Sequence, residues 1–275
     1  MLISMATILK DAKKNGYGVA APNVFDGESV RVCFEAAKEL HAPMIIDAGG
    51  VDLEYIGDVV RFYCKRYPEV PVALNLDHGD DLKQVVEAIR AGFSSVMIDS
   101  STAPFEENVA ITSEVVKVAH SVGVSVEAEL GHVGLGNNYA KDGVSHLTLP
   151  EEAVEFVKQT GIDCLAVAIG TAHGPYNGVP KLDIERLDAI REAVPVPLVL
   201  HGGSSTGDEN LQNAIHHGIS KVNLGTDLAM AGSNAVRKLL KRDNVRLGAV
   251  AQFGIEGYKA ELMRYLNLFG EKDRW

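Results

Sequence analysis

The stretch that decides the fold is residues 150–170, PEEAVEFVKQTGIDCLAVAIG. It begins with a proline and two glutamates, which favour the first turn of a helix, and Gly161 follows the apolar positions Ala153, Val154 and Val157. Residues 163–170 are apolar nearly throughout, as expected for a parallel strand covered on both faces. The stretch therefore predicts a helix over 150–160 followed by a buried strand.

The same alternation of strand and helix runs along the whole chain. Further strands are predicted over residues 18–22, 43–47, 70–76, 94–99, 124–130, 196–200 and 220–224. Further helices are predicted over residues 28–40, 51–66, 81–91, 106–122, 183–194, 208–217 and 227–241. Eight such units without a linker predict an α/β (β/α)8 TIM barrel, one domain over 1–275, with extra helices within 1–14 and 252–269. A doubly wound parallel sheet is the alternative, because it has the same alternation.

Composition narrows the range of partners and compartments. The 275 residues carry 26 Lys and Arg against 37 Asp and Glu, and the net charge of −11 argues against nucleic acid or an anionic membrane as a partner. Cys33, Cys64 and Cys164 are widely spaced, which predicts reduced thiols in a cytoplasmic protein. No signal peptide is evident, and the longest apolar run, around 165–169, is far shorter than the ~20 residues of a membrane helix.

Three predicted strands end with a histidine followed by a glycine. His78 follows the third strand, His173 the sixth and His201 the seventh. The carboxyl ends of the strands form the active site of such a barrel, so we expect these imidazoles to meet there. Three imidazoles with an open position suit Zn²⁺ or another divalent ion, although a structural histidine is the alternative at any single position. Four other histidines lie near predicted helix ends, where an exposed imidazole needs no functional explanation: His41, His120, His216 and His217.

Acidic residues accompany these histidines. Asp77 precedes His78 and could orient a metal ligand or act as a general acid or base. Asp99 closes the fourth strand, and Glu127 and Glu129 are two apart on the fifth, so both point to the same side of the sheet. Asp99 and Glu129 could bind a second cation or hold the metal-site histidines.

The loops after the seventh and eighth strands are typical of anion sites. Residues 202–205 read GGSS, and residues 223–226 read NLGT just before a helix. Glycine-rich backbone, hydroxyl groups and a helix N-terminus supply hydrogen-bond donors, and many barrels bind phosphate at this corner. These loops, together with a cation on the histidines, would hold an anion despite the negative net charge.

Taken together, these motifs resemble those of the class II, metal-dependent ketose-bisphosphate aldolases, such as fructose- and tagatose-bisphosphate aldolases. The resemblance covers nearly the whole chain, in the order and spacing of that family. It is carried by LDHG (76–79), VMIDS (96–100), VEAELG (126–131), AVAIGTAHG (166–174), PLVLHGGS (197–204) and KVNLGTD (221–227).

The resemblance implies a role for each of these positions. His78, His173 and His201 would bind Zn²⁺ or another divalent metal, and Asp77 would protonate the aldehyde oxygen during condensation. The phosphate of dihydroxyacetone phosphate would be surrounded by Gly174, Gly202, Ser204, Asn223 and Thr226. Asn23 would lie in the substrate pocket, and Asp99 and Glu129 would surround a second cation position, which a monovalent cation could take. Arg264 would reach the far phosphate in a neighbouring subunit's pocket, which implies a homodimer or homotetramer.

The reaction implied is reversible cleavage of a ketose 1-phosphate or 1,6-bisphosphate, of fructose or tagatose type or a modified sugar, into dihydroxyacetone phosphate and an aldehyde. A Schiff-base aldolase is disfavoured, because no lysine ends strands four to eight and Lys221 lies at the opposite end of the eighth. A metal-dependent sugar-phosphate epimerase or isomerase is the alternative, and a non-catalytic sugar-phosphate-binding barrel is a third.

Two positions depart from the family pattern. Asn137 stands where the family's mobile loop has a proton-transferring glutamate, and asparagine cannot act as a base. His132, Lys141 or Asp142 could replace it. Asp47 follows the second strand, where many relatives bind the far end of the sugar through a hydroxyl group. A carboxylate there would repel a second phosphate, which predicts an aldehyde other than the usual triose phosphate.

Overall fold

A computed structural model describes residues 1–134, 147–174, 176 and 180–275. Within these residues, eight parallel strands form one sheet in the order β1-β8-β7-β6-β5-β4-β3-β2. The strands are β1 (Val19–Pro22), β2 (Met44–Ala48), β3 (Val72–Gly79), β4 (Ser95–Ile98), β5 (Ser125–Leu130), β6 (Cys164–Val167), β7 (Leu198–Leu200) and β8 (Ile219–Leu224). A parallel bridge between Asn23 and Asp47 joins the first and second strands. The predicted (β/α)8 barrel is confirmed, and the doubly wound alternative is wrong.

Helices follow the strands as the sequence predicts. They are α1 (Met5–Asn15), α2 (Gly27–Leu40), α3 (Leu53–Arg66), α4 (Leu82–Arg90), α5 (Phe105–Ser121), α6 (Pro150–Thr160), α7 (Ile184–Ala193), α8 (Asp208–His216), α9 (Thr226–Leu239) and α10 (Leu247–Leu268). Four of them start where an aspartate side chain accepts a backbone N–H of the first turn: Asp26, Asp52, Asp81 and Asp183. Helix α6 ends at Gly161, whose φ of 71° is the left-handed conformation that favours glycine.

Two elements extend more than one residue beyond their predicted limits. Strand β3 reaches Gly79 through an irregularity in its pairing with β4 that contains Asp77 and His78, and His78 has a left-handed φ of 49°. The C-terminal helix α10 begins at Leu247, five residues before the predicted start. The irregularity in β3, between the pairs made by Leu76 and Gly79, therefore sets the position of the first histidine.

Two apolar cores surround the sheet. The larger lies between the strands and the outer helices. The smaller fills the amino-terminal end of the barrel, where α1 inserts Met5, Ile8 and Leu9 against inward-facing strand residues such as Val19 and Val199. Apolar side chains therefore fill the amino-terminal end of the barrel, and we call this cluster the apolar plug. Polar inward-facing residues begin beyond it, toward the carboxyl ends of the strands.

No helix in the described part of the chain is both long and apolar enough to cross a bilayer. All three cysteines are free thiols: Cys33 and Cys164 are buried, and Cys64 is partly buried.

Candidate active site

Three histidines from three strands lie together at the carboxyl end of the barrel. His78 is on β3, His173 follows β6 and His201 follows β7. Their ring nitrogens lie within 4.8 Å of one another. The closest pair is Nε2 of His78 and Nδ1 of His201, 2.9 Å apart. The structure thus brings together the three imidazoles that the His-Gly pattern predicts.

The glycines after two of these histidines have a steric reason. A Cβ atom at Gly79 would lie 2.4 Å from the carbonyl oxygen of Met97, and one at Gly202 would lie 2.3 Å from that of Ala172. Gly202 also has a φ of 67°, in the left-handed region. A side chain at either position would push neighbouring strand ends apart and separate the imidazoles.

Carboxylates orient two of the imidazoles. Nδ1 of His78 lies 2.7 Å from Oδ2 of Asp99, and Nε2 of His201 lies 2.7 Å from Oε1 of Glu127. Because a carboxylate accepts an N–H, we assign these nitrogens as protonated, which directs the opposite nitrogens of the two rings toward each other. This is the arrangement in which metal-binding histidines are usually held.

The protonation of the imidazoles follows from their surroundings. Burial opposes the charge on His78, but the hydrogen bond to Asp99 and the charges of Asp77 and Glu129 outweigh it and raise the pKa to about 9. Burial, followed by the charges of the other two imidazoles, lowers the pKa of His173 to about 4. His173 is therefore neutral at pH 7 and offers a lone pair to a metal ion.

Glu129 provides a second group of ligand atoms. His78, Asp99 and Glu129 also have ligand atoms within 4.8 Å of one another. Oε1 of Glu129 accepts the N–H of Val133 at 3.0 Å, whereas its buried Oε2 has no hydrogen-bond partner among the described residues. An unpartnered buried carboxylate oxygen beside an imidazole fits a cation. Both donor sets therefore suit metal binding.

Asp77 lies beside the histidines with both oxygens engaged. Nδ2 of Asn23 donates to Oδ2 at 2.6 Å, and Nδ2 of Asn223 donates to Oδ1 at 2.9 Å. Burial would raise the pKa of Asp77, but the charges of His78, His201 and a buried lysine, with the bond from Asn23, lower it. The carboxyl is therefore ionised at pH 7 and fixed in direction.

The loops after β7 and β8 form a backbone cradle. A Cβ atom at Gly203 would lie 2.8 Å from the carbonyl oxygen of Asn223, so the two loops touch through backbone. Asp227 fastens them: it accepts the N–H of Ser205 at 2.8 Å, and its own N–H donates to Oγ of Ser204 at 3.1 Å. Helix α9 begins here at the N-cap residue Gly225, which has no side chain to cap it, so first-turn N–H groups other than that of Asp227 can bind an anion.

These groups open onto one cavity of about 140 Å³. Every predicted substrate-binding residue except Arg264 lines this cavity, and so do Asp77 and the two histidines His78 and His173. The lining residues are Asn23, Asp77, His78, His173, Gly174, Gly202, Ser204, Asn223, Gly225 and Thr226. The buried His201 lies behind this lining.

A layer of buried charge separates the cavity from the apolar plug. Nζ of Lys221 lies 2.8 Å from Oε2 of Glu127 and 3.2 Å from Oδ2 of Asp47, and all three side chains are fully buried. Burial disfavours the charged form of Lys221, yet the neighbouring carboxylates outweigh it and raise the pKa of Lys221. Burial likewise opposes the charge of Glu127, but Lys221 and His201 lower its pKa to about 2. Burial prevails at Asp47, whose pKa is raised to about 7.

Sequence reasoning missed this layer because it sought functional groups only at strand ends. The available signal was the alternation along β8, which places Lys221 on the same inward face as Asn223. The interpretation of Asp47 as a group facing the far end of the substrate is wrong. That side chain points into the barrel, where Lys221 and Asn75 hold it.

Arg264 lies outside the cavity of its own chain. Its guanidinium is bonded to Asp208 at 2.8 Å and to Glu261 at 2.7 Å, and it covers the ring of Tyr265 at 4.1 Å. Its proposed role in a neighbouring subunit stays a prediction. The histidines expected near helix ends lie there: His41 and His217 directly follow α2 and α8, and His120 and His216 are in the last turns of α5 and α8.

The predictions about the loop after β5 fall largely outside the described residues. This applies to Asn137, Lys141 and Asp142. Of the candidates to replace the missing glutamate, His132 alone is described, and its Nδ1 lies 3.0 Å from Oγ of Ser101.

Comparison with known proteins identifies the class. The sequence matches the family described as fructose-bisphosphate aldolase class-II over residues 3–274, so the chain belongs to that family. It is therefore a metal-dependent aldolase, a carbon–carbon lyase that acts on a phosphorylated sugar and releases dihydroxyacetone phosphate and an aldehyde. The epimerase and the non-catalytic alternatives are set aside by this result.

Individual relatives agree with this class. The chain is 41% identical over 303 residues to a fructose-bisphosphate aldolase of Helicobacter pylori, covering 97% of this chain and 98% of the relative. It is 44% identical over 250 residues to the fructose-bisphosphate aldolase of Staphylococcus epidermidis, covering 88% and 87%. The crystal structure of the YdjI aldolase from Escherichia coli K12 superposes with a TM-score of 0.88 at 33% identity, covering 99% and 98%.

Proposed function

We propose that this chain is a zinc-dependent aldolase in which His78, His173 and His201 bind the catalytic ion. The observation that carries the proposal is the cavity lined by Asp77, His78, His173 and the loops after β7 and β8, with a ring nitrogen of the buried His201 within 4.8 Å of those of the other two histidines. Its substrate is a ketose 1-phosphate or 1,6-bisphosphate of fructose or tagatose type, or a modified sugar of the same class. The cleaved bond joins C3 and C4 and yields dihydroxyacetone phosphate.

Asp77 carries the proton transfer at C4. A bound divalent ion supplies Lewis-acid stabilisation of the negative charge that cleavage develops on substrate oxygens. Asp77 takes the proton from the C4 hydroxyl during cleavage and returns it to the aldehyde oxygen during condensation. Asn23 and Asn223 hold its carboxylate from both sides, at 2.6 and 2.9 Å, and its lowered pKa keeps it ready to accept a proton at pH 7.

The phosphate of the three-carbon product binds in the backbone cradle. The residues that would surround it are Gly174, Gly202, Ser204, Asn223 and Thr226. The uncapped start of α9 and the glycine backbone supply N–H donors to an anion without any basic side chain. This accounts for phosphate binding by a chain of net charge −11.

Glu129 and Asp99 form the second cation position. Glu129 offers Oε2, which has no hydrogen-bond partner among the described residues, to a monovalent cation or a displaced divalent ion, whereas Asp99 also orients His78. The protein is a cytoplasmic homodimer or homotetramer, in which Arg264 contacts the far phosphate of the substrate bound in a neighbouring subunit's pocket. For this it must leave Asp208, which is feasible because the Arg264 side chain is 38% exposed.

Metal removal tests the proposal. The protein is dialysed against a chelator and assayed for condensation of dihydroxyacetone phosphate with a panel of phosphorylated and unphosphorylated aldehydes. Activity should vanish and return with Zn²⁺, and the preferred aldehyde identifies the substrate. Full activity of the metal-free protein would overturn the proposal, as would conversion of ketose phosphates into epimers without release of triose phosphate.

Two variants separate binding from catalysis. His173→Ala should lose the metal, and Asp77→Ala should keep the metal and lose turnover. His216→Ala is the matched control, because that exposed histidine at the end of α8 lies away from the cavity. An active Asp77→Ala variant would refute the proton-transfer role.

A further inference from the structure

The interior of the barrel holds a fully buried lysine. Lys221, at the third position of β8, is 0% exposed, and so are Glu127 and Asp47, which contact its ammonium group at 2.8 and 3.2 Å. Below it lies the apolar plug formed around α1. Barrel interiors are ordinarily filled with branched apolar side chains, and burying an ion pair often costs more than it returns. A buried ionic layer at this height therefore calls for a functional explanation.

Lys221 is sealed from substrate. It is absent from the described lining of the cavity, and two carboxylates face its Nζ atom. Nucleophilic attack on a substrate carbonyl is therefore excluded by position. The function of the ammonium group must lie in what it holds.

Glu127 links the lysine to the histidine cluster. One of its oxygens, Oε2, accepts from Lys221, and the other, Oε1, lies 2.7 Å from Nε2 of His201. The opposite nitrogen of that ring, Nδ1, faces Nε2 of His78 at 2.9 Å. The two oxygens of the Glu127 carboxylate thus connect the ammonium group of Lys221 to the imidazole ring of His201, a proposed metal ligand.

The lysine is itself held from its far side. Asp47 lies 3.2 Å from Nζ, and its other oxygen accepts Nδ2 of Asn75 at 2.9 Å. These contacts form a continuous path across the barrel from β3 through β2, β8 and β5 to the loop after β7. Its members, in order, are Asn75, Asp47, Lys221, Glu127 and His201. Lys221 and Glu127 limit each other's rotamers, because displacing either would leave a buried charge unpaired.

We propose that Lys221 is a positioning residue for metal binding. It holds Glu127 in the rotamer that accepts the Nε2–H of His201, and this makes Nδ1 of His201 the atom that binds the divalent ion. The inference rests on the proposed function, in that it takes His201 as a ligand. Replacing a residue that orients a metal-binding histidine typically lowers metal affinity by about 10–100-fold.

The test measures metal binding by the intact protein, with activity as a second readout. Lys221→Met removes the charge at nearly constant length. Its Zn²⁺ dissociation constant, from competition with a chromophoric chelator, should rise by roughly 10–100-fold. The visible spectrum of the Co²⁺-loaded protein should also change, which loss of packing alone would not cause. Zn²⁺ affinity and a Co²⁺ spectrum equal to those of the wild type would overturn the inference.

A matched control tests whether the effect is specific to Lys221, and a second pair of variants replaces Lys221→Met if that variant does not fold. Lys13→Met removes a lysine at an exposed position, which donates to backbone carbonyls of residues 194–196, and should leave both readouts unchanged. If Lys221→Met does not fold, Glu127→Gln is compared with Glu127→Gln/Lys221→Met, in which charges are removed from both partners. Equal metal affinities in these two support action through Glu127, and a further loss on adding Lys221→Met overturns it.

The outcomes distinguish this inference from the proposed function. If the wild type binds Zn²⁺ and His201→Ala abolishes binding while Lys221→Met does not weaken it, the positioning role alone fails. If the wild type binds no divalent ion, both fail.

Discussion

Nε2 of His78 lies 2.9 Å from Nδ1 of His201, while the other nitrogen of each ring faces a carboxylate. Although burial opposes its charge, the hydrogen bond to Asp99 and the neighbouring acidic groups raise the pKa of His78 to about 9, so this ring is protonated at pH 7. A divalent ion that binds Nε2 of His78 must displace a proton.

Metal binding should therefore release a proton. Titration of Zn²⁺ at pH 7 by calorimetry in two buffers of different ionisation enthalpy should give about one proton released per ion. The affinity should fall by about tenfold for each unit of pH decrease below the pKa of His78. His120→Ala, at an exposed site, should leave this count unchanged. A count of zero in the wild type would contradict protonation of His78 at pH 7.

Gly202→Ala should cost both stability and metal affinity. The new Cβ would lie 2.3 Å from the carbonyl oxygen of Ala172, and the φ of 67° adds strain, so we expect a loss of about 3 kcal/mol in urea unfolding. Gly123→Ala is the control: its φ is 77°, but its Cβ meets no described atom within 4 Å. It should cost about 1 kcal/mol and leave metal binding intact. Equal losses in the two variants would show that the loop contact is unimportant.

Asp227→Ala should weaken binding of the phosphorylated substrate without affecting the metal. Asp227 accepts both the N–H and the Oγ–H of Ser205, at 2.8 and 3.1 Å, and so holds that residue at a φ of 62°. Losing these bonds should raise KM roughly tenfold. Tyr265→Phe removes only the hydroxyl that donates to Asp227 at 2.6 Å, and should have a smaller effect. An unchanged KM in Asp227→Ala would argue against a phosphate-binding role for the loop.

Glu271→Gln should stabilise the protein at high pH only. Burial raises the pKa of Glu271 well above 4.5, although the N–H of Ala20 donates to it at 2.9 Å. The folded state therefore retains a proton that the unfolded state loses, and wild-type stability falls as the pH rises from about 4.5 toward the raised pKa. Glutamine keeps the acceptor without the charge.

At pH 8 we expect Glu271→Gln to have a higher free energy of unfolding than the wild type in urea. The difference should vanish toward pH 3, where the wild-type carboxyl is almost wholly neutral in both states. Glu256→Gln, at an exposed position of α10, should show no such dependence. A pH-independent difference for Glu271→Gln would contradict burial as the cause.

The sequence predicts the barrel and the histidine cluster for local reasons. Apolar runs and helix boundaries depend on neighbouring residues, as the agreement over 150–160 illustrates. Parallel strands carry their carboxyl ends to one rim, so His-Gly steps on three strands indicate one cluster once a barrel is assumed. The extension of β3 to Gly79 was not predictable, because Asp77 and His78 are polar and the pairing irregularity that contains them depends on how β3 and β4 align.

What the sequence alone determined is the set of chemical groups and the end of the barrel at which they gather. Only the tertiary structure decided how those groups pair. Asp47 and Lys221 are 174 residues apart, yet they meet at 3.2 Å inside the barrel, so the acid that looked exposed to substrate is a buried partner of a lysine. The physical reason is that period-two alternation specifies the inward face of a strand, whereas the partner across the barrel depends on the register of all eight strands.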